Sequence, residues 1–328
     1  MFAYLRESLR LFGHIQLLPV LESGEETLVG GQAVMEGVMM RAPHSYCVAV
    51  RKKNGEIVTE EAPVHRMSEK YPIFKLPIFR GVGTLVQALG LGMKALQFSA
   101  NVSLEEEGKP KEDQAKISGW AMTVQMIFSF AFFAFMYKYV PLQLTDLLKS
   151  QYPVLDNRIL YNGVDGIIRI AIFLTFLFVL SRFKDINRVF QFHGAEHKVV
   201  FNFEARTPVT VENAQRFVTW HPRCGTSFLL VVMLVSMIVY MFLPFDTFVQ
   251  KLVSRIVLIP VIAGLSYEII RFAAKRRGSY LALLTAPGLW LQRITTQPPD
   301  DDAVAVAIHA LDGAMALETK QGGELVIA

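Results

Sequence analysis

Val164–Phe183 reads VDGIIRIAIFLTFLFVLSRF. It is apolar over about the 20 residues a helix needs to cross ~30 Å of hydrocarbon. A lone segment in lipid must satisfy its own backbone groups, so the stretch predicts a transmembrane helix and decides the fold class. Three further runs match it: Trp120–Val140, Ser227–Phe245 and Leu252–Phe272. Pro141 and Pro244 punctuate the ends of two of them, and Pro260, inside the last, predicts a kink. The expected fold is an α-helical integral membrane protein of about four transmembrane helices with a small cytosolic β-containing N-terminal domain.

Composition agrees. The 328-residue chain is 52% hydrophobic with 24 Phe, and its mean hydropathy is +0.34; ordinary soluble domains carry less apolar residue. A net charge of +4 could serve nucleic acid, but the charges flank the apolar runs, so the lipid bilayer is the expected partner and no sequence-specific nucleic-acid binding is expected. Cys47 and Cys224 cannot make a disulfide framework. The first residues lack an apolar stretch followed by a small-residue cleavage site, so no signal peptide is expected.

Basic residues set the orientation. Lys109, Lys111 and Lys116 precede the first run; Arg182, Lys184 and Arg188 follow the second. Arg216 and Arg223 precede the third, and Arg271, Lys275, Arg276 and Arg277 follow the fourth. The connectors Pro141–Gly163 and Asp246–Lys251 are poorer in Lys and Arg. Both termini and the long middle loop are therefore expected in the cytoplasm.

The divisions follow: a leader (1–27), a β-hairpin-containing domain (28–84), an apolar helix and charged linker (85–117), a first transmembrane hairpin (118–183), a His/Cys loop (184–226), a second hairpin (227–272), and C-terminal interfacial and amphipathic helices (273–328). In the N-terminal domain, Asn54-Gly55 between strand-like arms signals a type I′ hairpin within a small mixed sheet over Leu28–Ile73. Gly30, Gly31 and Gly37 permit positive φ or close backbone approach. Leu85–Asn101 carries Lys94 in its middle and suits a re-entrant, interfacial or core helix better than a span. Leu283–Thr296 suits the membrane surface, and Ile308, Leu311 and Met315 repeat at helical spacing.

The chemistry-bearing stretch is QFHGAEHKVVFNFE, Gln191–Glu204. On a helix, His193 and His197 share one face, as metal ligands must, and Glu196 lies near it. The order His-x-x-Glu-His matches an inverted zinc-protease pattern in which the glutamate is general base. In WHPRCGTSF, His221 and Cys224 stand at a chelating spacing. An antiparallel pair of spans returns both pairs to one membrane face. His193, His197, His221 and Cys224 could then hold Zn²⁺, with Glu196 as acid/base or second partner, or with Cys224 unbound and a position open to water. The plainer alternative is a set of interfacial hydrogen-bonding residues.

Other polar residues carry structural readings beside functional ones. Asp165 and Arg169 fit an i,i+4 ion pair or a polar path; Arg255 fits a snorkelling cation; Glu268 fits a salt bridge with Arg271 or Arg223. Glu36 and Arg41 either face the site or pair together, and Met35, Met39 and Met40 fit the core.

Four motifs in order, GGQAVMEGVMMRAP, FHGAEHK, HPRCGTSF and PGLWLQRITT, resemble the YqhQ family of bacterial multi-pass membrane proteins. The resemblance runs from Gly30 to Thr296. It implies a metal-dependent enzyme with His193, Glu196, His197, His221 and Cys224 as site residues. Two functions stand open: a metalloenzyme at the cytoplasmic face, or a non-catalytic biogenesis factor that joins the protein-export channel or ribosome and uses the cluster as a structural staple. A transporter is the weakest, since no inverted repeat is visible.

Overall fold

The computed structural model describes residues 29–65, 67–105, 118–221, 224–275 and 286–320. The leader, most of the charged linker with Lys109, Lys111 and Lys116, the basic residues Arg223, Arg276 and Arg277, the start of the Leu283–Thr296 segment and the last eight residues lie outside them.

Strands β1 (Gly30–Val34), β2 (Gly37–Arg41), β3 (Ser45–Arg51) and β4 (Ile57–Pro63) come first. Helices follow: α1 (Phe79–Leu104), α2 (Gly119–Ala134), α3 (Val140–Gln151), α4 (Arg158–Leu180), α5 (Lys184–Glu204) and α6 (Val211–Gln215). Then come α7 (Gly225–Met241), α8 (Phe248–Val257), α9 (Ile259–Lys275), α10 (Ala286–Thr295) and α11 (Asp301–Lys320). The chain divides into two compact units, one of residues 1–64, 191–219 and 298–328, the other of 65–190 and 220–297.

In the first unit the strands pair in sequence order, every pair antiparallel, so the sheet is a meander rather than mixed. The β3–β4 loop spans Lys52–Glu56. Gly55 donates to the Lys52 carbonyl and alone there takes a left-handed φ, +88°. That is a type I turn closed by a glycine bulge, and the extra loop residues displace the type I′ turn that Asn54-Gly55 signals.

Val38 and Met40 pair in register with Ala49 and Cys47, and all four enter one core. Helix α11 packs on that sheet through Ala303, Ala307, Ala310 and Ala314, small side chains that let it approach closely. Leu311 is buried, whereas Ile308 and Met315 only flank the core. The Asp300 side chain caps the helix by accepting from the Ala303 amide at 2.7 Å. At its far end, the Glu318 carboxylate accepts from the His44 amide at 2.9 Å and lies 2.8 Å from the Ser45 hydroxyl.

In the second unit two helical stretches are long and apolar enough to cross a membrane: Gly119–Gln151 and Arg158–Leu180. The first passes through Pro141 instead of ending there. A π-helical turn over Phe135–Tyr139, in which the Val140 amide reaches back to the Phe135 carbonyl, shifts the register just before the proline. The fourth expected run is a bent pair, α8 and α9, at 52°. The bend falls immediately before Pro260, which sits in the first turn of α9, where its missing N–H costs no hydrogen bond. The third, α7, is a 17-residue apolar helix, shorter than a perpendicular crossing needs. Among the described residues, two stretches meet the length and composition of a span, or three if the bent pair counts as one, against the four expected. Leu85–Asn101 lies within α1, whose Arg80 pairs with Glu268, a partner the sequence reading did not name; the expected Arg223 lies outside the described residues.

A buried polar network threads this unit. Asp165 pairs with Arg169, and its other oxygen accepts from Arg255 at 2.6 Å. Arg255 is 1% exposed and also donates to Asn162 at 3.0 Å. It is an interior cation, not a snorkelling one.

Candidate metal centre

Helix α5 carries the first half of the site. Its 3.6-residue turn brings His193 and His197 onto one face, with ring centroids 4.5 Å apart. Glu196 is buried, and its Oε2 stands 4.0 Å from Nε2 of His193. A Cβ on Gly31 would come within 2.9 Å of Glu196 Cγ, so glycine is what lets this side chain lie against β1. That is one of the close approaches the glycine-rich segment predicts. The neighbouring residue Glu36 serves as the β1–β2 turn, with φ 49°.

The segment after α5 is fastened to it. Lys198 donates to the carbonyls of Gln215 and Phe217 at 2.8 and 2.5 Å, and Asn202 donates to Thr207 Oγ1 at 2.6 Å. Burial holds the Lys198 ammonium below its ordinary pKa. His197 Nδ1 contacts the Thr219 carbonyl. A carbonyl can only accept, so Nδ1 carries the proton and the lone pair is on Nε2. Metal-ligating histidines are oriented by this same kind of second hydrogen bond.

Cys224 precedes α7 as its N-terminal flanking residue, its Sγ 3.2 Å from Thr226 Oγ1. His193, His197 and Cys224 are residue types that could hold a metal ion; the two histidines belong to the first unit and the cysteine to the second. Two imidazoles and a thiolate make a borderline-soft set, suited to Zn²⁺ and similar transition ions over Ca²⁺ or Mg²⁺. The residues therefore fit a metal.

His221 belongs to the second unit. Both its backbone groups are occupied by α10: the amide donates to Gln292 Oε1 at 2.7 Å, and the carbonyl accepts from Gln292 Nε2 at 2.8 Å.

Cys47, the other thiol, is fully buried in the sheet unit's core. Burial first, and Glu61 second, push it up to about 12, so it stays protonated and inert. Sequence reading did not find the Thr219 carbonyl or Gln292, since neither residue type carries a site signal.

Residues 76–317 match the family model described as "Protein of unknown function (DUF1385)". Over 297 residues the chain is 35% identical to "Uncharacterized protein YqhQ" of Bacillus subtilis (strain 168), covering 88% of this chain and 92% of the relative. No solved structure matches.

Proposed function

The chain belongs to the DUF1385 family, represented by YqhQ, and we propose a multi-pass inner-membrane protein that performs metal-dependent hydrolysis at its cytoplasmic face. The observation that carries the reading is the pairing of His193 and His197 on one face of α5 beside the buried Glu196 carboxylate, with Cys224 as the third proposed ligand. A closed structural zinc site takes four protein ligands, whereas three leave a position open for chemistry. Zn²⁺ held there would supply Lewis acidity to a water or to the polar bond of a substrate.

The chain's own residues do the rest. The Thr219 carbonyl holds His197 in the tautomer that presents Nε2. Glu196, fixed against Gly31, accepts a proton from the attacking water and returns it to the leaving group. The substrate class is a lipid-linked or membrane-protein bond presented at the bilayer surface. Membrane residence is supported by the two long apolar helical stretches and by Trp120, Ile127, Phe128 and Phe130, each more than half exposed. Both termini are assigned to the cytoplasm in this reading, which the basic residues flanking the apolar runs support.

Replacing the chromosomal gene by Glu196→Gln tests the reaction. The expected result is a lipid or membrane-protein species that accumulates as in a deletion strain, while the purified variant keeps its metal and its melting temperature. Wild-type lipid and membrane-protein profiles in that strain would overturn hydrolysis. They would favour the cluster as a staple in a factor assisting the export channel or ribosome.

A further inference from the structure

Helix α1 is packed the wrong way round for water. Its buried face is mostly small: Gly81, Gly92, Ala95 and Ser99, with Leu91 and Val102. Its outward face is large and apolar. Phe79, Val86, Leu89, Leu96 and Leu104 follow one another at spacings of seven, three, seven and eight, which keeps them on one side of a helix. Each is between 44% and 52% exposed.

The small face is committed to protein. Helix α1 packs against α9, and a Cβ on Gly81 would stand 2.7 Å from Tyr267 Cβ and 3.0 Å from Gly264 Cα. The Arg80 guanidinium closes the same contact by donating to both oxygens of Glu268. Ahead of the helix, Pro72 starts a short 3₁₀ turn, Pro72–Lys75. Phe74 from that turn lies over Gly83, where a Cβ would meet its ring at 2.8 Å. Small residues inside and large ones outside is how helices pack in lipid. There, hiding a leucine from acyl chains gains nothing, and close backbone approach holds helices together. In water the same arrangement leaves a costly apolar stripe.

Charge narrows the occupant further. Residues 70–104 include Lys70, Lys75, Arg80 and Lys94 and neither Asp nor Glu. Glu268 takes Arg80, and the three lysines are exposed. A second copy of the chain on this face would set like charges against each other, whereas an anionic lipid surface complements them. Lys94 also fixes the manner of contact. It falls near the middle of the 26-residue helix, so a crossing would put its ammonium deep in hydrocarbon. A helix lying along the surface lets it reach the headgroups.

We infer that α1 lies along the bilayer surface, its apolar stripe among the acyl chains and Lys70, Lys75 and Lys94 on the phosphates of anionic lipids. The inference rests on the membrane residence proposed above and is independent of the metal centre.

The test uses the full-length protein in nanodiscs of phosphatidylglycerol and phosphatidylcholine in equal parts. The photo-crosslinking residue benzoyl-phenylalanine replaces Leu89, Leu96 or, as a control for membrane residence, Phe128. The expected result is a lipid adduct at all three positions by mass spectrometry. Adducts at Phe128 but none at Leu89 or Leu96, whether those sites give a cross-linked dimer or no product, would overturn the inference and leave membrane residence standing. No adduct at any of the three would remove both. Lys75→Gln and Lys94→Gln should each lower the phosphatidylglycerol-to-phosphatidylcholine ratio in the Leu89 and Leu96 adducts by up to about fivefold, without lowering the melting temperature. An unchanged ratio in both variants would overturn the assignment to anionic lipid.

Discussion

In the sheet-bearing unit the buried Lys198 ammonium ends on two backbone carbonyls, those of Gln215 and Phe217, less than twenty residues further along the chain. In the helical unit the buried guanidiniums of Arg169 and Arg255 end on Asp165, and the second of these partners lies 90 residues away in sequence. Carbonyls neutralise an ammonium locally and leave the surrounding core apolar. Ions paired across helices tie the fold of several segments to one carboxylate, and any surplus of charge stays in the interior. The two units therefore differ in what a single substitution removes.

The largest effect is expected at Asp165. Asp165→Asn leaves two interior guanidiniums without their carboxylate, and breaking such a pair costs about 3–5 kcal/mol. The variant should fail to accumulate folded protein or melt far below wild type in detergent; a near-wild-type melting curve would mean that the cations are held by something else. Gly313→Ala probes the other unit by packing. The added Cβ would stand 2.6 Å from Cys47 Sγ and 2.8 Å from Glu61 Oε1, an overpacking worth about 1–3 kcal/mol. A neutral result in chemical denaturation would mean α11 can lift from the sheet without cost.

Lys198→Met removes one ammonium and leaves the Gln215 and Phe217 carbonyls unpaired, a loss of about 1–2 kcal/mol. It should raise amide exchange across 205–219 before it lowers global stability; unchanged exchange there would remove Lys198 as a fastener. The smallest effect depends on pH. Burial raises the Glu318 carboxyl, but hydrogen bonds from His44 and Ser45 outweigh it and hold the pKa below the ordinary carboxylate value. A lowered folded-state value stabilises the protein fully above the unfolded carboxyl's pKa, and that contribution disappears as pH falls through the folded value. Glu318→Gln should therefore cost about 1 kcal/mol at neutral pH, with the gap to wild type narrowing on acidification. A gap that widened would reverse the sign.

The same contrast governs what the sequence discloses. The His193/His197 face was legible because four residues return a helix to one side, and Cys224 could be added from its proximity to an expected span. The backbone hold on His221 was not legible, because it depends on Gln292, 71 residues away. The helical nature of the apolar runs was readable. Their lengths were not: the π-helical turn carries the first through Pro141, and the Pro260 bend splits the last. Asn54-Gly55 announced a hairpin correctly but misled on its turn type, since loop length decides that. The alanine face of α11 was hidden behind Ile308 and Met315, which look more apolar yet only border the core. Asp165–Arg169 was visible as an i,i+4 pair, but nothing local in the sequence announces that Arg255 shares the same carboxylate.

The central claim is that His193, His197 and Cys224 hold one metal ion. Elemental analysis of the purified full-length protein, with His193→Ala and Cys224→Ser beside it, tests it most directly. The account predicts about one equivalent of a transition metal per chain, lost in both variants while their melting curves in detergent still show a folded protein. Metal-free wild type after purification without chelators and reloading with Zn²⁺, or full occupancy in both variants, would contradict it.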